Sequence, residues 1–134
     1  MEKSDLESKP PASGSQRRVL IVEDDDDVRD VLGELVAALG LEPLPAATAE
    51  EAIEHATQSP VAVALVDLGL PLVDGYEVAR RLRASAWGAE MRLVALTGYS
   101  DQETRRHAAA AGFDHFLVKP ADPAAIERAL VATP

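Results

Sequence analysis

No cysteine occurs in the 134 residues. That removes disulfide frameworks, thiolate zinc sites and cysteine nucleophiles together, and it accords with a reducing compartment. No apolar run approaches the ~20 residues of a membrane span, and the N-terminus has no signal-peptide core. Cations are few: 13 Lys and Arg stand against 23 Asp and Glu, a formal charge of −10. Proteins that grip nucleic acid neutralise phosphates with clustered Lys and Arg, so direct DNA binding is not expected. No long repeat and no second composition class is visible. What remains is a cytoplasmic chain without membrane insertion, of a length that suits one domain with a real hydrophobic core.

Residues 1–16, "MEKSDLESKPPASGSQ", are rich in Ser, Pro and charge, too poor in apolar side chains to offset their ordering entropy, and read as a disordered tail or linker. From Arg17 to Pro134 short apolar runs alternate with amphipathic patterns, the signature of an α/β domain. "RVLIVED" is apolar throughout, as a strand buried on both faces should be. Val28, Val31, Leu32, Leu35, Val36 and Leu39 form a helical stripe that Gly40 closes. "LEPLPAA" predicts an edge strand, because Pro43 and Pro45 cannot donate to a ladder. Thr48 with Glu51 forms a capping box that opens a second helix with Ala52, Ile53 and Ala56 inward. "VAVALVDL" is a third strand, and an Asp-Gly turn leads from it into the helix "DGYEVARRLRAS". "MRLVALTG" is a fourth strand; Ser100 with Glu103 predicts the next cap, and Gly112 the end of that helix. "DHFLVKP" is the fifth strand. Asp122 as N-cap and Pro123 at the first helical position then start a helix with Ile126, Ala129 and Leu130 inward.

Five such units with right-handed crossovers make a doubly wound parallel sheet, whose ligands bind beyond the strand C-termini where strand order reverses. Glu23 and Asp24 follow the first strand, Asp67 the third, Thr97 and Gly98 the fourth, Lys119 and Pro120 the fifth. Three carboxylates at one crevice repel each other by roughly 4 kcal/mol per close pair, so a cation is expected there. All-oxygen ligands suit Mg²⁺ or Mn²⁺, and Lys119 and Thr97 add a point charge and a donor. A phosphoryl group among them would be neutralised on every side, and Asp67 is the natural nucleophile because a carboxylate can form an acyl phosphate. Of the five consecutive acids from Glu23 to Asp27, the last three enter the first helical turn, where one serves as N-cap.

The pieces "ED" at Glu23 and Asp24, "LVDLGLPLVDGYEVARRLR" around Asp67, "ALTG" with Thr97 and "LVKP" with Lys119 stand in one order, each at a strand end. Together they resemble the receiver domain of two-component response regulators over residues 17 to about 132. The resemblance implies a flavodoxin-like (βα)5 fold with strand order 2-1-3-4-5. It implies Asp67 as phosphoacceptor for a histidine kinase or phosphotransfer protein. Mg²⁺ (or Mn²⁺) would be held by Asp24, Asp67, the Gly69 carbonyl and, largely through water, Glu23. Thr97, Gly98 and Lys119 would bind the phosphoryl group, Pro71 and Gly75 would shape the loop after the third strand, and Lys119–Pro120 would be cis. Phe116 matches an aromatic switch position that moves with Thr97, with Phe in place of Tyr. Gly69 and Tyr99 occupy positions that modulate dephosphorylation in similar domains. "LTGYSD" and "GFDHFLVKPAD" are most like receivers of hybrid sensor kinases or single-domain regulators.

Such a module catalyses only its own phosphorylation and dephosphorylation. With no effector domain after Pro134, its output is expected through protein contact on the helix 4, strand 5, helix 5 face. Two other classes fit less well. A haloacid-dehalogenase-like phosphatase wants a second Asp two residues beyond the nucleophile, where Gly69 stands, and a flavodoxin-like nucleotide binder wants a glycine- and hydroxyl-rich loop where the acids are. His55, His107 and His115 lack partner ligands and are expected at the surface, as are Arg80, Arg81 and Arg83 on helix 3 and Arg105 and Arg106 on helix 4.

Overall fold

The computed structural model describes residues 17–69, 74–85 and 88–131; the expected tail, Pro71 and the last three residues lie outside them. Strands β1 (Arg18–Val22), β2 (Glu42–Ala46), β3 (Val63–Asp67), β4 (Arg92–Thr97) and β5 (His115–Val118) alternate with helices α1 (Asp26–Ala38), α2 (Ala49–Gln58), α3 (Gly75–Arg83), α4 (Gln102–Ala111) and α5 (Pro123–Val131). The strands form one parallel sheet in the order β2-β1-β3-β4-β5. This is the expected 2-1-3-4-5 order, and strand order reverses between β1 and β3.

The continuous apolar runs follow from burial on both sheet faces. Val19 and Ile21 of β1, Val63 and Leu65 of β3 and Val94 and Leu96 of β4 pack with Leu32 and Val36 of α1 and with Ile126, Ala129 and Leu130 of α5. The intervening residues Leu20, Val22, Ala64, Val66, Leu93 and Ala95 pack with Ala52 and Ala56 of α2, Val78 and Leu82 of α3 and Ala108 and Ala111 of α4. The period of two thus divides each strand between two cores.

At the β2 edge the prolines sit where they cost no ladder bond. Glu42 N donates to the Arg17 carbonyl and Glu23 N donates to the Ala46 carbonyl, so the even-numbered positions face β1 and Pro43 and Pro45 face outward. There the missing N–H groups blunt an open edge, and His55 Nε2 donates to the outward Pro45 carbonyl at 3.1 Å. Gly40 closes α1 at φ 83° and Gly112 closes α4 at φ 107°, both in the left-handed region. Asp25 is the N-cap of α1, accepting from Val28 N at 3.0 Å. Asp122 caps α5 by accepting from Ala124 N.

Four expectations are corrected. The Ser100–Glu103 box does not form: Asp101 is the N-cap residue of α4, and its carboxylate accepts instead from the Thr104 hydroxyl at 2.6 Å. The Asp-Gly pair before α3 is not a turn in its own right. Asp74 caps the helix by accepting from Glu77 N, and Gly75 is the first helical residue; a Cβ there would lie 2.6 Å from Leu68 Cα, so glycine serves close packing on the end of β3. The α1 stripe is wider than its buried face. Val28 and Val31 stay 40% and 63% exposed, because a groove of about 630 Å³ separates them from Pro120, Pro123 and Ile126.

Arg83, finally, is a tether rather than part of a solvated face. Its guanidinium donates to the carbonyls of Gly112, Gly88 and Met91 and pairs with Asp114 Oδ2 at 2.8 Å. Arg80 and Arg81 do remain exposed, both paired with Glu77. Replacing Arg83 by Met would take a donor from the Gly112, Gly88 and Met91 carbonyls, of which Gly88 keeps the Met91 N–H, and is expected to cost about 2–3 kcal/mol. Urea denaturation should show a lower midpoint with an unchanged slope, while Arg80→Met should shift it little.

Candidate functional site

The two central strands deliver the acids. Glu23 follows β1 and Asp67 ends β3; both are buried, at 2% and 5% exposure, while Asp24 is exposed. One carboxylate oxygen from each of the three lies within 4.8 Å of the others. Lys119, just past β5, reaches across with Nζ 3.1 Å from Asp67 Oδ1 and 3.7 Å from Glu23 Oε1. Thr97 ends β4 at 4% exposure, and its backbone carbonyl accepts from Lys119 N at 2.7 Å. The Lys119–Pro120 bond is cis. Glu23, Asp24, Asp67 and Lys119 therefore meet at one edge of the sheet, with Thr97 joined to Lys119 through its backbone.

Backbone donors hold the acids in place. Asp67 Oδ1 accepts from Gly69 N at 2.9 Å as well as facing Lys119. Glu23 Oε2 accepts from Asp25 N at 3.2 Å, and Arg29 Nη1 donates to the Glu23 carbonyl at 2.9 Å. Arg29 also pairs with Asp26 across one helical turn. Sequence reasoning missed Arg29, since a contact to a backbone carbonyl six residues earlier leaves no mark in the apolar pattern.

Glu23 Oε1 is buried and accepts no hydrogen bond among the described residues, the Lys119 ammonium standing 3.7 Å away. A buried acceptor without a donor is costly, and a hard cation is the ligand class that satisfies carboxylate oxygens. The donor set fits Mg²⁺ or Mn²⁺: two buried carboxylates and one exposed carboxylate open to solvent, with no nitrogen or sulfur ligand among them. Burial first, then the nearby Asp67 carboxylate, pushes the Glu23 carboxyl up to about 7, against the lowering effect of the Asp25 N–H and of Lys119.

The remaining candidates stand around this cluster. Thr97 Oγ1 accepts from Tyr99 N at 3.1 Å, and Tyr99 itself is 72% exposed. Gly98 has open space where a Cβ would be, and a Cβ on Gly69 would stand 3.5 Å from Asp67 Oδ1. Phe116 is half-buried on β5 against the α2–α3–α4 core. The histidines do not join the cluster: His107 is exposed, edge-on to Tyr76, and His55 and His115 are half-buried.

A parallel 2-1-3-4-5 sheet whose reversal point gathers three carboxylates opposite a lysine is the architecture of a receiver domain. The chain belongs to that family: residues 19–131 match the response regulator receiver domain. Among solved structures it resembles the Vibrio cholerae chemotaxis protein CheY4, with 25% identity, a TM-score of 0.83 and coverage of 87% of this chain and 97% of that one. It also resembles the receiver domain of a Pseudomonas aeruginosa sensor histidine kinase, with 29% identity, a TM-score of 0.78 and coverage of 87% and 95%. That structure has a magnesium ion coordinated in its active-site cleft. An uncharacterized 14.6 kDa protein of Leptolyngbya boryana is 33% identical, the match covering 81% of this chain and 83% of the relative. A cyclic di-GMP phosphodiesterase of Thermotoga maritima is 37% identical across 76% of this chain, which spans only 27% of that protein. Receiver domains are signalling modules of two-component systems that work with histidine kinases or phosphotransfer proteins.

The Glu23 geometry has a consequence for stability. Its carboxyl is raised from the ordinary 4.5 to about 7, so between those values the folded chain binds a proton that the unfolded chain has released. Its contribution is fully present below about pH 4.5 and lost as pH rises through 7. In the presence of a chelator, urea-derived stability should decline over this window, and Glu23→Gln should flatten that part of the profile. An unchanged slope in the variant would show that other groups carry it.

Proposed function

We propose that the protein accepts a phosphoryl group on Asp67 from the phosphohistidine of a kinase or phosphotransfer protein and thereby alters its protein contacts. The observation that carries this reading is the convergence of Glu23, Asp24 and Asp67 with Lys119 and Thr97 at the sheet's reversal point. An oxygen of Asp67 attacks phosphorus as the P–N bond breaks. The bonding pair returns to the imidazole nitrogen, and the ring, protonated at its other nitrogen, leaves neutral. Lys119 pairs with one phosphoryl oxygen; the Thr97 hydroxyl and the backbone at Gly98 serve others. Asp24, Asp67 and the Gly69 carbonyl would hold Mg²⁺, or Mn²⁺, directly, and Glu23 largely through water; when bound, the ion neutralises phosphoryl oxygens. The missing side chain at Gly69 and the exposed ring of Tyr99 flank the approach of water and so set the lifetime of the acyl phosphate.

Output follows from Thr97 turning toward the phosphoryl group and Phe116 moving with it, which changes the α4–β5–α5 face offered to a partner protein. The likeness to a sensor-kinase receiver supports a second role on the same chemistry, in which the chain belongs to a hybrid kinase and passes its phosphoryl group to a phosphotransfer protein. A turnover phosphatase is disfavoured because Gly69 offers no acid at the position two beyond Asp67. Nothing in the net charge of −10 favours a nucleic-acid partner, and no described helix is long and apolar enough to cross a membrane.

Acetyl phosphate with Mg²⁺ should add one phosphoryl group, read by intact mass, and Asp67→Asn should add none. Labelling of the Asn variant, or a wild type that never labels, overturns the assignment. Mg²⁺ should raise the melting temperature more at pH 8 than at pH 5, since at the lower pH it must displace the Glu23 proton; Asp24→Asn should remove most of that increment.

A further inference from the structure

Phe116 pairs with Ala95 across the β4–β5 ladder, and Thr97 pairs with Val118. Side chains alternate along a strand, so Phe116, Ala95 and Thr97 share one sheet face, the face that α4 covers. Over the ring lies a groove of about 360 Å³ bordered by Arg105, Ala108, Ala109 and Phe113. The alanines are too small to fill it. Arg105 covers the ring instead, with its guanidinium carbon 4.6 Å from the ring centroid. The same guanidinium group donates through Nε to the Ser100 carbonyl at 3.4 Å. One exposed side chain therefore touches both the loop that follows Thr97 and the aromatic of β5. A tyrosine at 116 would have a hydroxyl to tether it; a phenylalanine has only packing and the attraction of a cation for its face.

We propose that Arg105 is a latch on Phe116: its cation–π contact holds the ring in the half-buried position of the unphosphorylated protein and must break when Thr97 is drawn to the phosphoryl group. The latch rests on the phosphoacceptor reading of Asp67. A contact made in only one of two states biases their equilibrium by its whole strength, so its loss favours the phosphorylated conformation. Arg105 acts through Phe116 and is a positioning residue, remote from the carboxylates.

The test is a double-mutant cycle on the full chain, using the beryllium trifluoride anion with Mg²⁺ as phosphoryl mimic. Arg105→Gln should tighten its binding by about two- to five-fold, the range of an exposed cation–π contact, and Arg105→Lys should lie between. In a Phe116→Leu background Arg105→Gln should change nothing. With fluorinated phenylalanine at the two Phe positions, 113 and 116, the Phe116 signal of Arg105→Gln should shift toward its beryllofluoride-bound position before any ligand is added. An unmoved midpoint, or the same change in both backgrounds, overturns the latch while leaving the phosphoacceptor standing. A wild type that binds no beryllofluoride overturns both.

Discussion

The mutual repulsion of Glu23, Asp24 and Asp67 is the constraint around which this edge of the molecule is arranged. Two of these carboxylates are buried because β1 and β3 are central strands covered on both faces, and a strand of that kind delivers its terminal residues into a crevice rather than into bulk water. The chain tolerates the crowding by several means. Lys119 is brought from β5 to face two of the acids, and the N–H groups of Gly69 and Asp25 are turned onto carboxylate oxygens. Glu23, with one buried oxygen that accepts no hydrogen bond among the described residues, has its affinity for a proton raised. The same burial and crowding of carboxylates that raise the affinity of Glu23 for a proton favour a divalent ion among them.

The same arrangement ties the pocket to a distant surface. The Lys119 amide is held by the Thr97 carbonyl, the Thr97 hydroxyl by the Tyr99 amide, and the loop beyond by Arg105, which also lies over Phe116. On the proposed function, a phosphoryl group competing for the Thr97 hydroxyl would disturb this series of contacts from the carboxylates to α4. The wide groove beside Val28 and Val31 lies on the opposite face of the sheet, between α1 and α5, and it too borders Lys119.

Much of the fold was legible because it depends on local chemistry. Apolar runs bounded by Gly, Pro and Asp marked five strands; Gly40 and Gly112 marked helix ends that require the left-handed region; Pro43 and Pro45 marked the edge strand. Two of the errors fell where two local signals competed. Ser100 and Asp101 are both good caps, and which one is used depends on where Thr104 finds an acceptor. The Asp-Gly pair suited either a turn or a helix start, and the choice was made by the closeness of Gly75 to Leu68 and Asp67.

By itself the sequence determined the strand-end positions of Glu23, Asp24, Asp67, Thr97 and Lys119, since a parallel sheet built by right-handed crossovers places all strand C-termini on one edge. Only the tertiary structure decided which side chains become partners across elements: Arg83 with Gly112, Gly88 and Met91, Arg29 with the Glu23 carbonyl, Arg105 with the Phe116 ring. All three are arginines on helices, where periodicity marks them as polar and outward. A long side chain with five donors can reach a backbone carbonyl or an aromatic face on another element, and that reach is set by the packing of helices on the sheet, which no single segment encodes.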